Sequence, residues 1–420
     1  MLVCLQIVID YSQWGGVNGS FMLINSLKEL PKENWLLFMA TLINRIGSMA
    51  FIFLILYLQK HLNFSVQIGG FVLALYGVGA VISGLLGGRL TDLYSPFRIM
   101  SLSLLISSII MLLYPLIHNL YLLCIVTFLW GLIRESYQPA IQVAIQKFSS
   151  SSQRKLAFSL QRLAFNVGIV VAPLLGGLLI SYNYNAIFIV DGITTLAAWL
   201  FIHYKFKIYM QDFQVNTPEQ PLLQDFKAAY HDKKMLYPML GLFLILIVFF
   251  QFGSTLPVFM VNNLHLSTTA FGLICAINGG MVILLQLHTS SYTTHWQYNR
   301  ALSLGVLLIA FAFGSYTFAA SIWMIIFGVI LLTIGEMIFF PSLAAYVSEI
   351  APPKQDGFYM GIYSTTLNAA MVMAPIIGTQ LLHRYGASSL WEVCFVIGIV
   401  AAFVFAFGVV LTVKTNELNG

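Results

Sequence analysis

The stretch "NVGIVVAPLLG", residues 166–176, has a counterpart in "NAAMVMAPIIG", residues 368–378. Asparagine, proline and glycine occupy the same places in both. Asn166 and Asn368, Pro173 and Pro375, and Gly176 and Gly378 each stand 202 residues apart. The same spacing joins Pro139 to Pro341, Gly70 to Gly272, Gly77 to Gly279 and Arg98 to Arg300. These seven ungapped matches, all at Pro, Gly, Asn or Arg, mark an internal repeat of two halves.

The composition says in what medium the repeat folds. The chain has 420 residues, 59% hydrophobic and only 8% charged, with a mean hydropathy of +0.87. Soluble proteins carry about 25% charged residues, so this is a polytopic membrane protein. Crossing the hydrocarbon takes about 20 apolar residues per helix. Twelve such runs are read at 35–58, 67–86, 99–116, 121–143, 157–180, 186–204, 236–259, 270–288, 301–319, 322–346, 358–382 and 391–413. They are continuous rather than alternating, which excludes a lipid-facing barrel. The offset aligns spans 2–5 with spans 8–11, and the one long polar stretch, 205–234, divides six spans from six. The expected organisation is an N-terminal segment 1–33, a first six-helix half 34–204, a linker 205–234, a second half 235–413 and a tail 414–420.

Fifteen of the 20 Lys and Arg fall in segments on one side of this arrangement. Lys60 and Arg384 lie on the other side, and Arg45, Arg134 and Arg162 lie inside helices. Positive residues collect in the cytoplasm, so both termini are expected there, in the cytoplasmic (inner) membrane of a bacterium. The basic residues report topology and imply no nucleic acid. The apolar start lacks a basic region and a clear cleavage site, which makes it a poor signal peptide. The reading expects translation to begin at Met22, which N-terminal mass analysis of the native protein checks. The four cysteines have no metal-binding spacing, and no Walker A motif provides for ATP. The expectation is a protein with no cofactor or metal, driven by the proton gradient.

Charges within spans need a reason, because an unpaired one at the membrane centre costs about 2.5–3.5 kcal/mol on insertion scales. "LIRESYQPA", residues 132–140, places Arg134 and Glu135 inside span 4. The repeat sets Arg134 over Glu336, a cation in one half against an anion in the other. In parallel repeats the equivalent helices face each other around a midplane cavity, so Glu336 is expected opposite Arg134. Helical periodicity adds a polar face in span 1 (Thr41, Asn44, Arg45, Ser48), a stripe in span 4 (Arg134, Gln138, Gln142), one in span 5 (Ser159, Arg162, Asn166) and one in span 7 (Gln251, Ser254, Thr255). Asn278 lies in span 8 and Asn368 in span 11. Neutral members of such stripes commonly bond helix to helix. Arg45, Arg134, Glu135 and Glu336 are the candidates for proton coupling and substrate contact, with Asn44, Gln138, Asn166, Asn278 and Asn368 around them. Glu336 is the first candidate proton carrier: burial favours the neutral form of a carboxyl, a neighbouring arginine favours the charged form, and a cavity that opens and closes changes both. Asp191, near the outer end of span 6, reads as a structural or interfacial acid.

These features together resemble the major facilitator superfamily over residues 30–413. The segment after span 2, "GGRLTDLYSPFR", is similar to the family signature G-x-L-A-D-R-x-G-R-R/K through Gly88, Leu90, Asp92 and Arg98, with Leu93 and Ser95 in place of an arginine and a glycine. The resemblance implies that Gly88 allows close packing and that Asp92 caps the start of span 11 as part of a gate. In the second half this motif has decayed to "SYTTHWQYNR". Span 5 resembles the antiporter signature G-x-x-x-G-P-x-x-G-G at Gly168, Pro173, Gly176 and Gly177, with Ala172 replacing a glycine. Span 4 resembles the family's arginine-bearing helix, and spans 10 and 11 look like those of twelve-span proton-linked multidrug exporters. The resemblance implies an all-α membrane protein with the superfamily fold of two pseudo-symmetric six-helix halves. It also implies a transporter rather than an enzyme, one that exports a small, partly apolar molecule against protons by alternating access as a monomer. Uptake of a nutrient by proton symport stays open as the alternative.

Overall fold

The structure is a computed structural model, and it describes residues 26–211 and 231–417. The segment around Met22 and most of the linker lie outside the described residues. The helices are Lys32–Ile46 with Ala50–Lys60 (span 1), Val66–Leu93 (span 2), Pro96–Leu113 (span 3), Leu120–Arg134 with Tyr137–Phe148 (span 4), Arg154–Tyr182 (span 5) and Ala186–Lys205 (span 6). In the second half they are Lys233–Phe249, Gln251–Ser254 and Leu256–Asn262 (span 7), Thr268–Thr293 (span 8), Tyr298–Ser315 (span 9), Ile322–Ile350 (span 10) and Asp356–Glu417. Eleven stretches among the described residues are long and apolar enough to cross a membrane. The last, Asp356–Gly408, has 53 residues, which at 1.5 Å per residue is roughly 80 Å and more than twice the hydrocarbon thickness. Gly386 breaks it with φ 83° and ψ 176°, so it contains spans 11 and 12. This is an all-helical, multi-pass membrane fold of twelve spans.

The offset found in the sequence recurs in the backbone. Span 3 runs Pro96–Leu113 and span 9 runs Tyr298–Ser315, both 202 residues apart at each end, and each closes in a 3₁₀ turn, Tyr114–Leu116 and Tyr316–Phe318. Spans 2 and 8 open on equivalent serines, Ser65 and Ser267, whose hydroxyls accept from the N–H three residues on. Such a cap satisfies one of the donors a helix N-terminus leaves open.

The aligned prolines behave differently in the two halves. A proline removes its own N–H and crowds the carbonyl four residues back. In span 4 the helix stops at Arg134 and restarts at Tyr137, just before Pro139. Span 10 runs through Pro341 unbroken, and the freed Met337 carbonyl accepts from Gln286 Nε2 of span 8 at 3.1 Å. A partner from a neighbouring helix replaces the missing backbone donor.

The halves join at the end of the bundle that carries the basic loops. Span 2 lies against span 11 so closely that a Cβ on Gly88 would come 2.3 Å from the Gly357 carbonyl oxygen, and one on Gly361 would come 2.3 Å from that of Gly84. Gln146 Nε2 of span 4 donates to the Ser348 carbonyl at 2.9 Å and to Asp356 Oδ1 at 2.7 Å. Apolar residues of both halves, among them Leu37, Ala144, Leu343 and Met360, share one core there. At the opposite end the first half has a core of its own around Met49, Tyr57, Tyr114 and Phe188.

Gly386 and Gly177 make a matched test. A Cβ at either would meet nothing within 4 Å, but only Gly386 has a positive φ. Gly386→Ala is expected to destabilise by about 1–3 kcal/mol, because that backbone region is essentially reserved for glycine. Gly177→Ala, on a regular helix, is expected to be neutral or stabilising by up to about 1 kcal/mol. Thermal unfolding of both variants in one detergent measures the contrast.

Candidate functional site

Span 1 breaks at Gly47–Met49, in the middle of its polar face. A Cβ on Gly47 would come 1.7 Å from Thr194 Oγ1, so span 6 packs against the break itself. The second piece of span 1 opens with Ala50, whose N–H donates to Asp191 Oδ2 at 3.2 Å. Asp191 is fully buried. Thr195 Oγ1 donates to its Oδ1 at 3.3 Å, and Asn44 Nδ2 donates to Thr195 Oγ1 at 3.1 Å. Arg134 Nη1 lies 3.6 Å from Asp191 Oδ2, while Nη2 donates to Ser48 Oγ at 2.6 Å. The carboxylate therefore joins spans 1, 4 and 6.

This corrects the expectation that Arg134 faces Glu336. The two residues match in repeat position, but Arg134 ends a helix at the break in span 4 and extends into its own half, where Asp191 neutralises it. Of the two readings of Asp191, structural or interfacial, the structure bears out the structural one: it is buried and joins three spans. Its partners could not be read from the sequence, where it is one acid in an apolar run.

Glu135 lies in the break of span 4 and accepts from Tyr76 Oη of span 2 at 2.6 Å. Arg45 lies over the Phe165 ring at 3.7 Å, and its Nε is buried without a hydrogen-bond partner. A Cβ on Gly168 would come 2.4 Å from Arg45 Cβ, and one on Gly176 would come 2.4 Å from Phe53. Two glycines of the antiporter-like stretch thus let span 5 press on span 1 on either side of its break. Gly177 faces open space, and Pro173 lies within the helix. Asn44, Arg45, Ser107, Arg134, Tyr137 and Thr195 are among the residues lining a cavity of about 10 Å³, the room one water molecule needs. Gln138 is half-buried on the helix after the break.

An ion pair across the halves forms elsewhere. Arg162 Nη2 of span 5 meets Glu336 Oε2 of span 10 at 2.7 Å. Glu336, 2% exposed, also accepts at Oε1 from Asn278 Nδ2 of span 8 at 2.8 Å. Asn278 donates to Thr333 Oγ1 as well, at 2.9 Å. The Arg162 guanidinium lies over the Phe340 ring at 4.3 Å. Arg162 was legible as part of the span 5 stripe, but nothing in the sequence paired it with Glu336. Asn166 Nδ2 donates back to the Arg162 carbonyl at 2.9 Å, and Asn368 Nδ2 joins span 11 to the Ala80 carbonyl of span 2 at 2.9 Å. Gln251 of span 7 donates to the Ala374 carbonyl at 2.9 Å. Asn368 and Gln251 thus bind helix to helix, and Asn278 alone of the three touches the ion pair.

Asp92 lies in the last turn of span 2, not in a loop: the helix runs on to Leu93, past the 86 expected from hydropathy. Its Oδ1 accepts from Gly357 N at 2.6 Å and its Oδ2 from Phe358 N at 2.7 Å. These N–H groups open span 11, where a helix N-terminus is partially positive and its donors lack helical partners. Arg98 Nε donates to the Met210 carbonyl at 2.7 Å, holding the short helix Lys207–Gln211 against span 3.

The family model described as Major Facilitator Superfamily matches residues 37–320 and 239–419. The chain belongs to that superfamily of membrane transporters, and it is not an enzyme. It is 24% identical over 367 residues to the uncharacterised MFS-type transporter YqjV of Bacillus subtilis (strain 168), covering 86% of this chain and 88% of that one. It is 24% identical over 316 residues to the tetracycline resistance protein, class B, of Escherichia coli, covering 73% and 77%. A Na(+), Li(+), K(+)/H(+) antiporter of Planococcus maritimus is 22% identical, covering 78% and 84%. Among solved structures, a bacterial homologue of the iron transporter ferroportin in the outward-facing state superposes with a TM-score of 0.75 at 15% identity, over 90% of this chain and 99% of that one.

Asp191→Asn leaves the Arg134 charge without its counter-ion. Losing one partner of a buried pair costs about 3–5 kcal/mol, so the variant is expected to melt well below the parent. Adding Arg134→Met removes the stranded charge and is expected to restore more than half of the loss, as a double-mutant cycle of melting temperatures measures.

Proposed function

We propose that the protein is a proton-coupled exporter of a small, partly apolar molecule, working by alternating access as a monomer in the bacterial inner membrane, with both termini in the cytoplasm. No cofactor takes part, and the proton gradient drives the cycle. The ion pair between Arg162 and Glu336 carries this reading. It joins the two halves and is buried at one of its ends, so whatever moves the halves apart must also change its charge state or its partner.

In the proposed cycle a proton reaching Glu336 neutralises it and removes most of its attraction for Arg162. The freed guanidinium and Asn278 then face the cavity between the halves, with Arg45 and Glu135 on the wall formed by the first half. For exchange the proton arrives from outside as the cargo leaves, and its loss to the cytoplasm restores the charged carboxylate for the next cargo. Asp92, seated on the first N–H groups of span 11 across from Gly88, holds the basic end closed. Basic loops favour the cytoplasmic side, so closure there corresponds to a cavity facing outwards. The similarity to the Na(+), Li(+), K(+)/H(+) antiporter favours exchange against protons, and that to the tetracycline resistance protein favours a small drug-like cargo. The close packing of Gly168 and Gly176 on span 1 agrees with the antiporter-like motif.

Proteoliposomes with an acid interior and an internal pH dye test the reading. Lipophilic cations, metabolites and siderophore-like compounds are added one at a time. A substrate is expected to alkalinise the interior as it accumulates, and acidification on entry would mean symport and end the export reading. Glu336→Gln is expected to reduce substrate-driven proton movement at least about hundredfold while the protein still folds and binds. Coupling that survives this change would remove Glu336 as the carrier.

A further inference from the structure

Asp92 has no acidic counterpart in the second half. The repeat places Thr294 at its position, and Thr294 Oγ1 bonds within its own helix, to the Ser290 carbonyl at 2.7 Å. The same repeat places Lys155 opposite Gly357, the residue whose N–H Asp92 binds. Lys155 lies at the start of span 5 and is only 5% exposed. Its Nζ donates to the Trp296 carbonyl at 2.6 Å and approaches the Thr293 carbonyl at 3.4 Å. These carbonyls lie at and just beyond the C-terminal end of span 8. The ammonium also lies 4.5 Å from the centre of the Tyr298 ring, and Tyr298 Oη donates to Glu349 at 2.8 Å. One turn further along span 5, Ser159 Oγ bonds Ser290 Oγ of span 8.

We infer that Lys155 is a second positioning residue of the transport cycle, a latch that holds spans 5 and 8 together when the basic end is closed. Its chemistry is that of the Asp92 contact with the polarity reversed. A helix N-terminus attracts a carboxylate, and a helix C-terminus, partially negative and rich in unpaired carbonyls, attracts an ammonium. In one repeat the group comes from the end of the earlier helix, span 2. In the other it comes from the start of span 5 and reaches across to span 8. The latch closes only when the two halves meet, because Lys155 belongs to the first half and the carbonyls to the second. It explains how the second half can lack the acidic motif and still be tied at this end.

The inference rests on alternating access but not on the direction or substrate of transport, so its test uses neither substrate nor gradient. Nitroxide labels replace the exposed Ser152 and His295, one in each half at the basic end, in a background free of the native cysteines, and distances are measured in nanodiscs. Charge-assisted hydrogen bonds contribute enough to change such a ratio about tenfold. Lys155→Gln is therefore expected to raise the ratio of long to short distances about tenfold, with Asp92→Asn as the comparator. Lys155→Arg keeps the charge on a larger, planar head and is expected to shift the ratio less than Lys155→Gln does. If folded Lys155→Gln matches the parent while Asp92→Asn shifts, or if Lys155→Arg shifts as far as Lys155→Gln, the latch is overturned. Should Lys155→Gln fail to fold, Tyr298→Leu removes the ring beside the ammonium. It is expected to shift the same ratio in the same direction, and no shift would count equally against the latch.

Discussion

The contact between Arg162 and Glu336 is the constraint around which the rest of the site is arranged. A carboxylate that is 2% exposed among apolar helices has almost no water to stabilise its charge, so the protein must supply the partner. It does so from the other half, and Asn278 satisfies the second oxygen. A buried pair of this kind contributes little net stability against an apolar replacement, but breaking it by removing one partner is expensive. That asymmetry suits a contact that must be made and unmade in a cycle, since a proton can end the pairing without leaving a carboxylate stranded.

The second pair, Arg134 with Asp191, stays within one half. Asp191 holds the Ala50 N–H and Thr195 besides Arg134. It therefore stabilises the start of the second piece of span 1, whose first N–H groups have no helical acceptor. Breaks in spans 1 and 4 and a fully buried acid in span 6 meet at one place, and Arg45 and Arg134 line the small cavity beside it. The first half is internally braced by charge, and the bond between halves is left to a different arginine.

At the basic end the halves meet through helix termini. The Asp92 carboxylate seats on the start of span 11 and the Lys155 ammonium on the end of span 8. Glycines at 84, 88, 357 and 361 bring spans 2 and 11 close enough for the first of these contacts. Both are geometric bonds to backbone groups, so a change in helix spacing weakens them together.

The amino-acid sequence by itself determined the number of spans, the division into halves and the 202-residue register, and its resemblance to the family motif implied the place of Asp92 at the start of span 11. These follow from apolar run length, from Pro and Gly positions and from a motif that survives in one repeat, all of them local or periodic signals. The backbone repeats the register at the ends of spans 3 and 9, as the aligned residues imply. Only the tertiary structure decided which charge meets which. Equal repeat positions put Arg134 and Glu336 at one depth, but pairing depends on the direction of each side chain. The break before Pro139 directs Arg134 toward Asp191, whereas span 10 passes Pro341 unbroken because Gln286 takes up the freed Met337 carbonyl. A one-dimensional pattern carries depth and face, but the direction of a long side chain at a helix break is set by its neighbours in three dimensions.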